Sequence, residues 1–263
     1  KKIIEMPDFK GYLSDLGGPS ANMYRMKGKN PDICAQCKKP SCISPVICKN
    51  LNADHTPMIE LYKEVDKIPG IKKSFIGSGV RYDLLLNRYD DNKLNESANT
   101  YMKELIAHHV SGRLKVAPEH TSDAVLKQMR KPSFAQFGQF KRIFDRVNKE
   151  EGLNQQLIPY FISSHPGCTE ADMAELAVLT KDLHFHLEQV QDFTPTPMTL
   201  ATEMYYTGFH PYTLEKVYTA QTKEQKLAQR QFFFWYDKTF KNQITKTLQR
   251  IGRKDLITKL FGK

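Results

Sequence analysis

The sequence predicts an α/β protein with parallel strands, and three observations carry that prediction. Five short β-rich runs, 11–15, 72–78, 113–118, 157–163 and 188–193, are each followed by a helical pattern, and such alternation calls for a parallel sheet with crossover helices. Each run ends in polar or glycine-rich residues: DLGG at 15–18, SGVRY at 78–82, EHTS at 119–122, SHPG at 164–167 and Asp192. In β/α barrels the C-terminal strand ends form the active face. Finally, 263 residues with 40% hydrophobic content suffice for one large α/β core or two smaller ones.

The helices follow from local chemistry. Residues 54–67 place Ile59, Tyr62 and Val65 on one face, and 98–109 repeat the helical period. Ser133 to Gln136, Thr169 to Asp172 and Thr222 to Gln225 have capping-box spacing, in which a hydroxyl accepts from an orphan N–H and the later side chain reaches back. After Phe193 the chain turns rich in Thr, Pro, Tyr and Gly, and 222–260 reads as entirely helical and basic. A boundary near residue 205 divides a core, 1–205, from a helical C-terminal extension, 206–263.

The 39 Lys+Arg against 29 Asp+Glu give a formal charge of +10, which favours acidic partners. There is no N-terminal apolar stretch, and the aromatic run Phe232 to Tyr236 is too short to span a bilayer. A soluble, cytoplasmic protein with no membrane partner is expected. Cys34, Cys37, Cys42 and Cys48 crowd into one segment while Cys168 stands alone. Clustered cysteines without a secretory signal read as metal ligands before disulfides. The thiolates suit one tetrahedral zinc or an iron-sulfur cluster, with Lys38, Lys39 and Lys49 offsetting the site's negative charge. Either a centre near the barrel mouth or a structural clip on a long loop fits this segment.

The stretches GYLSDLGGPSANMY at 11–24, the four-cysteine segment, SGVRYDL at 78–84, VAPEHTS at 116–122 and QVQDFTPTPM at 189–198 closely resemble the YgiQ-type radical S-adenosylmethionine proteins. EHTSDAVLKQM at 119–129 and FISSHPGCTE at 161–170 are similar to the fourth- and fifth-strand loops of the wider superfamily, which touch the cofactor. The resemblance implies a partial, open TIM-like β/α barrel of about five strands. It also implies a parent enzyme that uses a 4Fe-4S cluster to cleave S-adenosylmethionine and generate a 5′-deoxyadenosyl radical, on an unknown substrate. Two departures qualify it. The cysteines are spaced Cys-x2-Cys-x4-Cys-x5-Cys, not in the cluster-binding Cys-x3-Cys-x2-Cys pattern, and Pro19 stands where the family's Gly-Gly-Glu motif has an acidic residue. The three cluster thiolates are therefore absent, Lys1 to Met6 reads as the last turns of a helix, the first strand becomes an open edge prone to self-association, and the fragment alone is expected to be inactive.

By the same resemblance, Gly17 and Gly18 let the backbone approach the methionyl ammonium, Ser78 lies beside them, Glu119 accepts from a cofactor hydroxyl or amine, and Ser163, His165 and Gly167 flank the adenine. Arg81 either binds the methionyl carboxylate or a substrate anion through its planar fork, or pairs with Asp83 or Glu119. Asp15, Asp192 and His165 are acid–base candidates at the mouth, with scaffolding the commoner role for such a histidine. His108 and His109 point in different directions on a helix and do not make a metal pair. Cys168 is either a thiol of lowered pKa at a helix start or a small buried hydrophobe. The basic tail, with Phe232 to Tyr236 among lysines and arginines, either packs its aromatics on the barrel or binds nucleic acid. A zinc-stabilised nucleic-acid-binding module is the rival reading of the whole chain.

Overall fold

A computed structural model describes residues 2–18 and 20–262; the expectations placed on Lys1 and Pro19 lie outside them. In chain order the strands are β1 Tyr12–Leu13, β2 Lys27–Gly28, β3 Leu51–Asn52, β4 Lys73–Ser74, β5 Arg113–Glu119, β6 Gln156–Ser163 and β7 Gln189–Asp192. The α-helices are α1 Pro31–Ala35, α2 Thr56–Asp66, α3 Tyr82–Leu86, α4 Asn92–His108, α5 Asp123–Gln128, α6 Phe134–Glu150, α7 Glu170–Asp182, α8 Leu200–Thr207, α9 Lys223–Arg230, α10 Lys238–Arg250 and α11 Lys254–Phe261. The class is α/β, with parallel pairing between β1 and β4 and between β6 and β7. Among the described residues the strands fall into three sheets, β1-β4, β2-β3 and β5-β6-β7. The antiparallel pair β2-β3 was not expected from the sequence. No closed barrel forms among these residues.

The chain divides into two compact units, residues 1–117 with 135–158, and residues 118–134 with 159–263. In the first unit, β1 and β4 are short as ladders, yet the bonds Lys72 N–H to Gly11 O (2.7 Å) and Leu16 N–H to Phe75 O (2.8 Å) prolong their contact on both sides. Residues 2–6 form turns held by bonds such as Met6 N–H to Ile3 O, 3.2 Å, where a helical remnant was expected; the spacing is that of a single turn. The core of this unit is helical. Ile59 and Tyr62 on α2, Ala98, Tyr101 and Leu105 on α4, and Phe137, Phe140 and Phe144 on α6 are buried, at the i, i+3, i+4, i+7 spacing of an amphipathic face.

In the second unit β6 and β7 run in register from Tyr160 opposite Gln189 to Ser163 opposite Asp192. Two of the three predicted capping boxes are made, Thr169 with Asp172 at the start of α7 and Thr222 with Gln225 at the start of α9; the third is not, for the Ser133 hydroxyl donates to Asp123 Oδ2 at 2.9 Å and Gln136 Oε1 has no partner among the described residues. The tail is helical with two breaks. Asp237 accepts from Thr239 N–H and restarts the chain as α10, and Gly252, with φ of 75°, ends that helix in the left-handed conformation glycine adopts freely. The aromatic run is largely core: Phe232 and Phe233 have no exposure and pack with Phe161, Met173, Leu176, Ile244 and Leu248. Burying such a side chain stabilises by about 2 kcal/mol, and the flanking Lys238, Lys241 and Lys246 remain in water. No described helix is long and apolar enough to cross a membrane.

Candidate functional site

Strand ends collect the polar residues in both units. In the first, Asp15 follows β1 and binds the loop after β4. Its Oδ1 accepts from the N–H groups of Gly17 (2.8 Å), Gly77 (3.1 Å) and Ser78 (3.3 Å), and its Oδ2 accepts from the Ser78 hydroxyl. Burial works to raise the Asp15 pKa, but these donors outweigh it and hold the carboxyl below the ordinary aspartate value. Both oxygens are spent on structure, so the acid–base role expected of Asp15 has no geometric support. Gly17 is required by the same packing, because a Cβ there would lie 2.9 Å from Asp15 Oδ1 and 3.0 Å from the Ser78 Cβ. Gly18 has nothing within 4 Å of that position and leaves its backbone open to approach.

Arg81 takes the structural one of its two expected roles. Its Nε donates to Asp83 Oδ1 at 2.8 Å and its Nη2 to Asp83 Oδ2, so the fork faces a carboxylate of its own chain. Asn22, buried and not singled out from the sequence, accepts from Arg81 N–H (2.7 Å) and donates to Arg81 O (3.1 Å). This two-point grip fixes the backbone entering α3. His108 and His109 diverge as expected, with ring planes 83° apart, and His109 Nδ1–H donates to Ser74 O at 3.0 Å.

The four cysteines lie on an excursion whose ends are tied together by β2 and β3. Lys29 N–H donates to Asn50 O (2.6 Å), Asn30 N–H to Asn50 Oδ1 (2.9 Å), and Asn50 Nδ2 to both Asn30 O (2.9 Å) and Cys34 Sγ (3.2 Å). Asn30 also caps α1 by accepting from Asp32 N–H at 2.9 Å. Gly28 makes room for sulfur, since a Cβ there would lie 2.2 Å from Cys34 Sγ. Cys48 N–H donates to Cys42 O at 2.8 Å. All four are free thiols, Cys34, Cys37 and Cys42 exposed and Cys48 half-buried. Among the described residues no three His, Cys, Asp or Glu side chains are gathered as metal ligands would be.

The second unit presents a different rim. Glu119 ends β5 with φ of 67°, and Ser164 follows β6 with φ of 61°. A side chain in this left-handed region is strained by about 1–3 kcal/mol. Glu119 Oε1 pairs with Lys131 at 2.9 Å, whereas Glu119 Oε2 and Ser164 Oγ are buried with no hydrogen-bond partner among the described residues. Ser163 donates through its hydroxyl to Asp192 Oδ1 (2.5 Å), and Arg230 on α9 reaches Asp192 Oδ2 (3.1 Å), so the second acid–base candidate is also committed. Burial lowers the His165 pKa to about 4, against which its bond to the Pro166 carbonyl works. His165 Nδ1–H donates to that carbonyl at 2.8 Å, leaving a neutral ring whose Nε2 can only accept. Gly167 has φ of 88°, and its N–H donates to Tyr218 O at 2.8 Å.

Two residues not singled out from the sequence, one of them inside the EHTS motif, complete this rim. Gln229 on α9, wholly buried, accepts from Ser164 N–H (2.8 Å) and donates to Cys168 O (2.7 Å), holding both ends of the 164–168 loop. His120 Nδ1 accepts from Ser122 N–H at 2.9 Å, so Nε2 carries the proton and points at Cys168 Sγ, 3.4 Å away. The ring thus donates to the sulfur and cannot take its proton. Burial pushes the Cys168 thiol well up and the His120 imidazole down to about 4. Cys168 is the buried hydrophobe of its two readings.

A family model described as a domain of unknown function, DUF3362, matches residues 188–262, from β7 through α11. Over its full 263 residues the chain is 70% identical to a UPF0313 protein of Bacteroides thetaiotaomicron and 66% identical to one of Porphyromonas gingivalis, spanning 42% of the length of each. A UPF0313 protein of Pseudomonas syringae pv. tomato is 44% identical over 258 residues, which are 96% of this chain and 32% of that relative. The chain is therefore homologous throughout to UPF0313 proteins and spans less than half the length of these curated relatives.

Proposed function

We propose that this chain is part of a radical S-adenosylmethionine enzyme: its parallel strands belong to a β/α barrel, and its strand-end loops hold S-adenosylmethionine, with the substrate unidentified. The strand-end motifs support this reading, and one observation carries it. At the ends of the neighbouring strands β5 and β6, Glu119 and Ser164 occupy strained left-handed backbone and each buries an oxygen without a partner. Buried polar atoms are paired in nearly all folded proteins, so two orphans at one sheet edge match a ligand bearing hydrogen-bond donors.

The chemistry of these residues supports S-adenosylmethionine as that ligand. In this reading Glu119 Oε2 accepts from a ribose hydroxyl or an amine while Lys131 pairs with Glu119 Oε1, and Ser164 Oγ and His165 Nε2 offer neutral contacts to the adenine side. Within the first unit, taken by itself, Gly17, Ser78 and Arg81 hold the loops after β1 and β4. The chemistry supplied when a 4Fe-4S cluster and S-adenosylmethionine are both bound is reductive cleavage to a 5′-deoxyadenosyl radical. The thiolates for that cluster come, in this reading, from chain outside these residues. Cys34, Cys37, Cys42 and Cys48 suit a separate zinc or auxiliary iron-sulfur centre, a donor set matched by the room Gly28 leaves for the Cys34 sulfur.

The test compares this chain with a longer one that carries the upstream region, both purified without oxygen and assayed for iron, sulfide, zinc and 5′-deoxyadenosine formation. We expect cofactor cleavage in the longer protein alone, and loss of S-adenosylmethionine binding on Glu119→Gln or Ser164→Ala with folding intact. Zinc without sulfide, no binding of S-adenosylmethionine, and an affinity for RNA falling steeply with salt would instead establish the nucleic-acid-binding module.

A further inference from the structure

The four-cysteine excursion is also strongly one-sided in charge. Between residues 25 and 50 stand Arg25, Lys27, Lys29, Lys38, Lys39 and Lys49 against the single acid Asp32, and all six cations are exposed. Among the described residues only Lys49 has an ion pair, with Asp90 at 3.7 Å, and both side chains are more than nine-tenths solvated (93% and 94%). Such a pair contributes little. Within this stretch two apolar side chains face water, Ile33 at 56% and Val46 at 78% exposure. Beside Val46 opens a cleft of about 230 Å³ with Val46, Ile47, Tyr89 and Leu94 among its walls and Lys29, Lys49 and Arg88 also lining it. Two acids, Asp90 and Asp91, line it as well. Asp91 is spent capping α4 through Lys93 N–H at 2.9 Å, and Asp90 is the weak partner of Lys49.

We propose that this cleft and its basic rim are a docking surface for an acidic segment of a partner protein, with an apolar side chain seated against Val46 and Leu94 and carboxylates facing Lys29, Lys49 and Arg88. An apolar centre within a charged rim is the anatomy of a specific interface, and a single-sign rim speeds encounter with a partner of opposite charge. A nucleic acid is the poorer occupant, because the exposed apolar side chains, Ile33 and Val46, are aliphatic and offer a base no ring face, and Tyr89 in the cleft wall is half-buried with its hydroxyl donating to Leu84 O. This proposal stands independently of the radical-enzyme reading.

The test measures binding of a labelled glutamate-rich peptide with interspersed leucines, and of its counterpart with serines in their place, by fluorescence anisotropy at several salt concentrations. We expect the leucine peptide to bind more tightly. The combined reversal Lys29→Glu, Lys49→Glu and Arg88→Glu should weaken it roughly tenfold or more, while Lys238→Glu, Lys246→Glu and Lys254→Glu on the C-terminal helices should leave it nearly unchanged. Val46→Ser, at a position too exposed to matter for folding, should abolish the preference for leucine. Equal binding of the two peptides, equal loss from the distant reversals, or tighter binding of an oligothymidine that the rim reversals abolish would each overturn the proposal.

Discussion

The loops after β1 and β4 and the loops after β5 and β6 draw on the same residue types and end in opposite states. In the first pair every acid and base has an internal partner: Asp15 is saturated by Gly17, Gly77 and Ser78, and Arg81 is locked on Asp83. In the second pair Glu119 and Ser164 keep unmatched buried oxygens on strained backbone, beside two neutral histidines. Polar residues at strand ends thus serve two purposes. One rim holds itself together, and the other retains capacity that a ligand can use.

The largest expected effect tests the neutral histidines. His120, His165 and, in the first unit, His55 titrate near 4 when folded, each chiefly through burial, against 6.5 unfolded. Because the folded pKa is the lower, their contribution is fully present above pH 6.5 and is lost as the unfolded chain takes up protons between pH 6.5 and about 4. Each group is worth roughly 3 kcal/mol over that window. Urea unfolding at stepped pH should show this loss, with His120→Gln and His165→Gln each flattening it. A slope unchanged by both would mean that these rings are solvated and the rim is not closed.

Next in size is the pair Gln229→Leu and Asn22→Leu, which cut the two-point backbone grips of the two rims. Each strands a buried N–H and a buried carbonyl and should cost about 2–4 kcal/mol. The two variants should differ in function, because Gln229 holds the loop that carries Ser164 and His165. We expect Gln229→Leu to weaken S-adenosylmethionine binding beyond its effect on stability, and Asn22→Leu to leave that binding in proportion to the folded fraction. The smallest effect is the most diagnostic. Ser164→Gly relieves the left-handed strain and removes the orphaned hydroxyl, so thermal unfolding should show about 1 kcal/mol of added stability together with weaker cofactor binding. A loss of stability would mean that the serine hydroxyl is paired in solution.

The legible parts of this fold are those set by neighbours in sequence. β5 and β6 fall within a residue of the predicted runs because Leu114 and Val116, and Leu157 and Phe161, alternate into the core. The boxes at Thr169 and Thr222 are local chemistry and stand where expected. β2 and β3 were not anticipated, since Lys27-Gly28 and Leu51-Asn52 lie in no β-branched or alternating run. Asp15, Arg81 and Asp192 were correctly placed at strand ends, but their partners Ser78, Asp83 and Arg230 decide that they are structural.

By itself the sequence determined where β5, β6, α7 and α9 begin, which faces of the longer helices turn inward, and that thiols and lysines crowd one excursion. These depend on propensities and periods read over a few residues. Only the tertiary structure decided which polar atoms at the strand ends are satisfied. Gln229 meets Ser164 across 65 positions of chain, and a left-handed φ at Glu119 or Ser164 is imposed by packing against residues that no local pattern foretells.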